Sequence, residues 1–178
     1  MYKKSIWPII GYHVRVYEKR EQVLKGIPSL LGLYNSIENL PKVEVFEELE
    51  GIKTILNDLV KTGKEILIYS SAAKQLEMLN HHFLQYIQRR AEAKVKAKVI
   101  IEKSDYSLKL KKKDKKEHRE TRFFPKKISL NSATHIYGDK VAVFSLDGPL
   151  FGIIIENKEI AESQRTIFQI LWKRAFTK

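Results

Sequence analysis

Few residues of this chain have the type and spacing that chemistry requires. Cleavage of a phosphodiester by a histidine nucleophile needs His-x-Lys followed by an acid. The ring attacks phosphorus and the lysine holds the phosphate oxygens. His135 is followed by Ile136 and Tyr137, and Lys140 comes three positions too late. On an extended strand His135 and Tyr137 share a face, while Lys140 lies beyond a turn. His135 therefore reads as a surface or strand-edge histidine, not a nucleophile. His81 and His82 are adjacent, and helical neighbours point about 100° apart. Glu77 shares a face with His81, but no third ligand stands near enough to close a metal site. The chain has no cysteine, which excludes disulfides, thiolate metal sites and a cysteine nucleophile. No catalytic residue, metal or cofactor is expected.

Cationic groups are more promising. The net charge is +12. Residues 109–127 alone hold ten basic and three acidic side chains, or +7. Lys109, Lys111, Lys112, Lys113, Lys115 and Lys116 could meet phosphates, which would fix position without reading sequence. The tract lacks the interleaved aromatics on which single-strand binders stack bases. A solvated face is the plainer reading of the same lysines. Arg119 and Arg122 flank Glu120 beside a predicted strand, and arginine offers a planar fork to carboxylate or phosphate. Ser70 and Ser71 end a predicted buried strand, and Lys74 follows in the next helix. Ligands of open α/β sheets lie at such strand ends, where free amides at a helix start suit an anion. Ser70, Ser71, Lys74, Arg119 and Arg122 are the candidate ligand pocket. Helix capping by the serines, and pairing of the arginines with Glu120 or another surface acid, are the competing roles.

The elements that must carry these residues follow from periodicity. Residues 14–38 read as helix, broken at Gly26 and Pro28. Val16, Val23, Leu24, Ile27 and Leu31 lie on its apolar face. They form either a dimer seam or a face packed on the chain's own domain. Val43, Val45 and Phe46 suggest a first strand within 42–48, and 51–61 a helix ended by Thr62-Gly63. Ile66-Leu67-Ile68-Tyr69 is a continuous apolar run, as in a strand buried on both sides. Residues 74–93 form the strongest predicted helix and 95–102 the next strand, a spacing that fits a parallel crossover. Residues 104–119 suit helix, loop or both, and 121–125 a short strand. Gly138-Asp139 joins 134–137 to 140–146 as a hairpin. Phe151–Glu156 is a further strand. Glu159–Ala175 closes the chain as a helix with Ile160, Ile167, Phe168, Leu171, Trp172 and Ala175 on its buried side. The expected fold is α/β: one mixed central sheet with helices on both faces. The expected domains are a helical segment at 1–40 and an α/β domain at 41–178.

Several stretches in order carry a family resemblance. Leu30-Leu31-Gly32-Leu33-Tyr34-Asn35-Ser36 leads into Pro41-Lys42-Val43-Glu44-Val45-Phe46-Glu47, then Glu50-Gly51-Ile52 and the strand at 65–71. His118-Arg119-Glu120-Thr121-Arg122 precedes Pro125. Ile136-Tyr137-Gly138-Asp139-Lys140-Val141-Ala142 is followed by Gly152-Ile153-Ile154-Ile155-Glu156-Asn157, and Gln164-Arg165-Thr166-Ile167-Phe168 by Leu171-Trp172. Together they resemble the C-terminal effector domain of TrmB-like transcription regulators, in the variety whose sheet is similar to half of a phospholipase-D-like fold. The resemblance spans about residues 20–176. It implies an N-terminal winged helix for operator DNA, a linker helix that pairs in a dimer, and a domain that senses an effector. About 13 residues precede the first predicted helix, so no winged helix fits. Either the chain is a fragment or it acts by association.

The expectation is a regulatory, effector-sensing and dimerising domain without its own DNA reader. The alternative is an accessory protein that holds nucleic acid with the 109–127 tract. The expected partners are a second copy, a small-molecule effector, and DNA or a DNA-binding protein. No apolar run approaches the roughly 20 residues that span a bilayer. Met1–Gly11 is too short, and too broken by Pro8, for a signal peptide. A cytoplasmic location is expected, with no membrane partner.

Overall fold

The computed structural model describes residues 41–125 and 128–177. The predicted helix at 14–38, with its proposed pairing face, lies outside the described residues. Strand β1 (Lys42–Glu47) opens the described chain and runs directly into α1 (Glu48–Lys61). Then come β2 (Ile66–Tyr69), α2 (Ala72–Leu79), α3 (His81–Glu92), β3 (Ala97–Ile101) and α4 (Asp105–Lys111). β4 (Arg119–Phe123), β5 (Ser132–Tyr137), β6 (Lys140–Ser145), β7 (Phe151–Glu156) and α5 (Lys158–Arg174) complete it.

The seven strands form one mixed sheet in the order β1-β7-β6-β5-β2-β3-β4. β2, β3 and β4 are parallel, with Ile66 opposite Ala97 and Ala97 opposite Arg119. The other neighbours are antiparallel. The β2–α2–α3–β3 crossover matches the spacing of its two apolar runs. The β5–β6 hairpin turns at Gly138-Asp139, and Tyr137 pairs with Lys140. Gly138 has φ 49°, a left-handed conformation that glycine reaches without a side-chain penalty.

Helices cover both faces, so apolar side chains are buried on each. On one face Ile52, Ile55, Leu56 and Leu59 of α1 pack with Leu79, Phe83, Tyr86 and Ile87 of α2 and α3, over Ile66, Ile68, Phe144 and Ile154. On the other, Ala161 and Phe168 of α5 cover Ile100, Ile136 and Val141. Ser104 and Ser107 close a reciprocal cap at the start of α4. Asn157 accepts from Ile160 N at 2.9 Å to cap α5.

Two predicted elements differ. The helix expected over 74–93 is two helices, because Asn80 adopts φ 46° and ψ −126° between them. Asparagine tolerates positive φ better than most residues. On α5, Ile160 and Ile167 are 36% and 45% exposed. The inward stripe is Ala161, Phe168, Leu171, Trp172 and Ala175. Phe168, Leu171, Trp172 and Ala175 lie on the expected side, while Ile160 and Ile167 face outward and Ala161 packs inward instead.

At Gly152 helix α1 comes close to the sheet. A Cβ there would stand 2.5 Å from Ile55 Cδ1 and 2.9 Å from Phe144 Cβ. Both of those side chains are buried. We expect Gly152→Ala to lower stability by about 1–3 kcal/mol through overpacking, and Gly152→Val by more. Urea denaturation of the two variants measures this. Parental stability in both would mean that α1 shifts freely against β7.

Candidate functional site

The candidate pocket residues do not come together. Ser70, Ser71 and Lys74 stand at the end of the sheet where β2 and β3 finish and β5 begins. Arg119 starts β4, opposite the first residue of β3, and so lies at the other end. Arg122 extends toward α5, its guanidinium 4.2 Å from the Trp172 ring centroid, and Nη1 donates to Trp172 O at 3.0 Å. Its Nη2 also donates to Glu120 Oε1 at 3.2 Å. Five residues of one predicted pocket thus occupy three places.

At the β2 end, the amides expected to receive an anion already have one. Glu102, which follows β3, accepts from Ala72 N at 3.0 Å and from Ala73 N at 2.9 Å. Ser71 Oγ accepts from Lys74 N at 3.3 Å and caps α2. The first turn of α2 is therefore served by a carboxylate from the neighbouring strand, in the position a ligand anion would take. Lys74 Nζ turns to Asn131 Oδ1 at 2.5 Å and Asp147 at 3.6 Å. Glu102 carries no periodic signal of its own. Only the parallel pairing of β2 with β3 brings it beside Ser71.

At the β4 start, the basic tract sits on a knot of buried polar contacts. Asp114 holds three groups. Its Oδ1 accepts from Arg119 Nε at 2.7 Å and Thr121 Oγ1 at 2.7 Å, and its Oδ2 accepts from Thr121 N at 2.8 Å. Arg119 also pairs with Glu117 at 2.7 Å and donates through Nη2 to Leu110 O. Arg90, from α3, donates to Val95 O at 2.5 Å and Glu117 O at 2.7 Å. The turns at 112–118 are thus tied to α3, α4 and β4 at once. Arg119 serves as a structural tie and is withdrawn from the ligand set.

The lysines divide accordingly. Lys111 donates to Thr121 O, lies 5.7 Å from the Phe123 ring centroid, and is half-buried. It belongs to the knot, which corrects its place in the predicted tract. Lys109, Lys112, Lys113, Lys115 and Lys116 are exposed. Among the described residues, none of these five has an ion-pair partner. They cluster around the C-terminal end of α4, where the helix dipole favours positive charge. The result is a fixed knuckle of five free cations.

His135 is fully buried and is no edge residue, contrary to expectation. It packs against Phe144 with ring centroids 5.2 Å apart. Lys140 donates instead to Asp58, at 3.0 and 3.2 Å. Burial pulls the His135 pKa down from 6.5 to about 3, so the ring is neutral near pH 7. Among the described residues no group of three potential metal ligands occurs. No described helix is long and apolar enough to cross a membrane.

The buried ring generates a pH dependence. Above pH 6.5 it is neutral in both folded and unfolded chains. Below that, the unfolded chain binds a proton that the folded chain refuses until about pH 3. Stability therefore falls as pH drops through this window. Between pH 7 and 4.5 the parent should lose on the order of 2 kcal/mol more than His135→Phe, at 1.36 kcal/mol per pH unit. Urea titrations at the two pH values test it. Equal losses would show that the ring titrates normally.

No family model matches the chain, and no curated protein matches it in sequence. Solved structures do resemble it. TrmBL2, described as an archaeal chromatin protein with a novel mode of DNA binding, aligns with TM-score 0.57 and 18% identity. That alignment covers 96% of this chain and 68% of TrmBL2. NucT from Helicobacter pylori aligns with TM-score 0.57 and 13% identity, over 78% of this chain and all of that one. The phospholipase D family member Nuc from Salmonella typhimurium gives 0.53 and 16%, over 76% and 97%. At these identities the likeness is one of fold: the chain has the mixed α/β sheet that TrmBL2 shares with phospholipase-D-like proteins.

Proposed function

We propose that this chain is a regulatory domain of the TrmB-like kind that holds nucleic acid without cutting it, through the lysine knuckle at the end of α4. One observation carries the reading: five exposed lysines, with no ion-pair partner among the described residues, stand within eight residues on turns locked by Asp114, Arg119 and Arg90. Rigid display matters, because cations held in place lose less freedom on meeting phosphate than cations on a loose tail. The contact is to the backbone and is therefore indifferent to sequence. The fold likeness to TrmBL2, an archaeal chromatin protein with a novel mode of DNA binding, supports the same partner. Pairing of copies through Val16, Val23, Leu24, Ile27 and Leu31, and response to a small effector, belong to this reading as well.

A phosphodiesterase reading draws on NucT and Nuc as fold neighbours. It is the weaker one. His135 is buried, neutral and packed on Phe144, and Lys140 is engaged by Asp58. A nucleophile needs access to phosphorus and a cation beside it.

Fluorescence anisotropy with a labelled duplex at 50 and 200 mM salt tests the proposal. The parent should bind more weakly at the higher salt, with no preference among sequences. Replacing Lys112, Lys113, Lys115 and Lys116 by glutamine should weaken binding and flatten the slope of log K against log salt by up to about 3–4. Lys111 is kept, because its loss would unsettle the knot. Unchanged affinity and slope in the quadruple variant would overturn the proposal.

A further inference from the structure

Between α2, α3, α4 and the sheet lies a cavity of about 30 Å³. Its wall is largely apolar, with Ile68, Phe83, Ile87 and Leu110 among the lining residues. Three uncharged polar side chains interrupt that wall: Gln75 from α2, Tyr86 from α3 and His135 from β5. They are 3%, 2% and 0% exposed. Gln75 Nε2, the Tyr86 hydroxyl and both His135 ring nitrogens have no hydrogen-bond partner among the described residues. Buried polar atoms are nearly always partnered, and an unmet one is strongly unfavourable. The three side chains that carry these atoms come from three separate elements and line a single space.

The chemistry of these atoms defines what would satisfy them. Gln75 Nε2 donates, the phenol donates and accepts, and a neutral imidazole offers one donor and one acceptor. Burial holds His135 neutral, with its pKa near 3, and pushes the Tyr86 phenol up to about 12. The set is uncharged and needs both a donor and acceptors. Arg90 and Arg119 also border the cavity, but Val95, Glu117, Leu110 and Asp114 already engage their N–H groups. The space exceeds the roughly 10–15 Å³ that one water requires. It is far below the several hundred Å³ of a metabolite site.

We infer that this cavity is an internal water site, in which one or two waters bridge Gln75, Tyr86 and His135 and so tie α2 and α3 to β5. Water has two protons and two lone pairs to share among these atoms. The bridge joins two helices whose covalent link is the single left-handed residue Asn80. It also sits against Leu110 and Arg119, which hold the base of the lysine knuckle. The inference is independent of nucleic-acid binding and does not need it to hold.

Two measurements on the full chain test the site. In NMR, magnetisation transfer from long-lived water should reach the Gln75 side-chain amide and the His135 ring protons. In thermal unfolding, Gln75→Leu and Tyr86→Phe should each lower Tm by about 2–4 °C. The double variant should lose clearly less than the sum, because the second change removes a partner from a water already released. Absence of a resident-water signal would overturn the inference. So would single variants that keep or raise Tm and combine additively, as expected of orphan groups in a dry space.

Discussion

Two buried guanidinium groups govern one end of this molecule. Taking a charge out of water costs several kcal/mol unless partners surround it. Arg90 and Arg119 are so surrounded, and the partners come from segments that would otherwise have no reason to meet. Arg90 reaches from α3 to the carbonyls of Val95 and Glu117. Arg119 reaches from β4 to Asp114, Glu117 and Leu110. Because each arginine must keep these bonds, the chain between α4 and β4 has one arrangement open to it. The exposed lysines inherit that arrangement. The acids of the same short stretch, Asp114 and Glu117, are taken by Arg119, and the lysines are left facing water.

Much of the fold is legible in the sequence, and the reason is periodicity. The apolar runs at Ile66–Tyr69 and Val99–Ile101 are buried parallel strands, and the turn at Gly138-Asp139 joins a true hairpin. The break at Asn80 is not legible, because the apolar spacing on either side continues as if one helix ran through. The buried side of α5 is misjudged because isoleucine is read as inward, yet Ile160 and Ile167 face out while the small Ala161 packs inside. The five candidate ligand residues are not gathered in one place, for a topological reason. Closeness in a motif says little about which end of a strand a residue occupies, and Arg119 and Ser70 lie at opposite ends of the sheet.

A shared architecture carries different chemistry in different chains. The sheet here has the form found in NucT and Nuc, yet the histidine on its β5 strand is sealed in the interior. Phe144 packs on the ring, and the lysine of the following strand answers to Asp58, which also accepts from the Tyr137 hydroxyl at 2.8 Å. The strand therefore contributes to packing, and the surface of the molecule carries the charge.

The carboxylate of Glu102 gives the sheet a built-in counter-ion. It fills the seat at the head of α2 with an anion that cannot diffuse away and whose effective concentration never falls. Dissolved phosphate or a nucleotide would have to compete with a tethered rival, so this end of the sheet is insulated from the ionic content of its surroundings. The insulation hangs on one side chain. In a descendant that lost it, two backbone amides beside a serine cap would stand open, and an anion receptor would need no rebuilding of the scaffold. The present fold thus lies a single codon from a different relationship with its solvent.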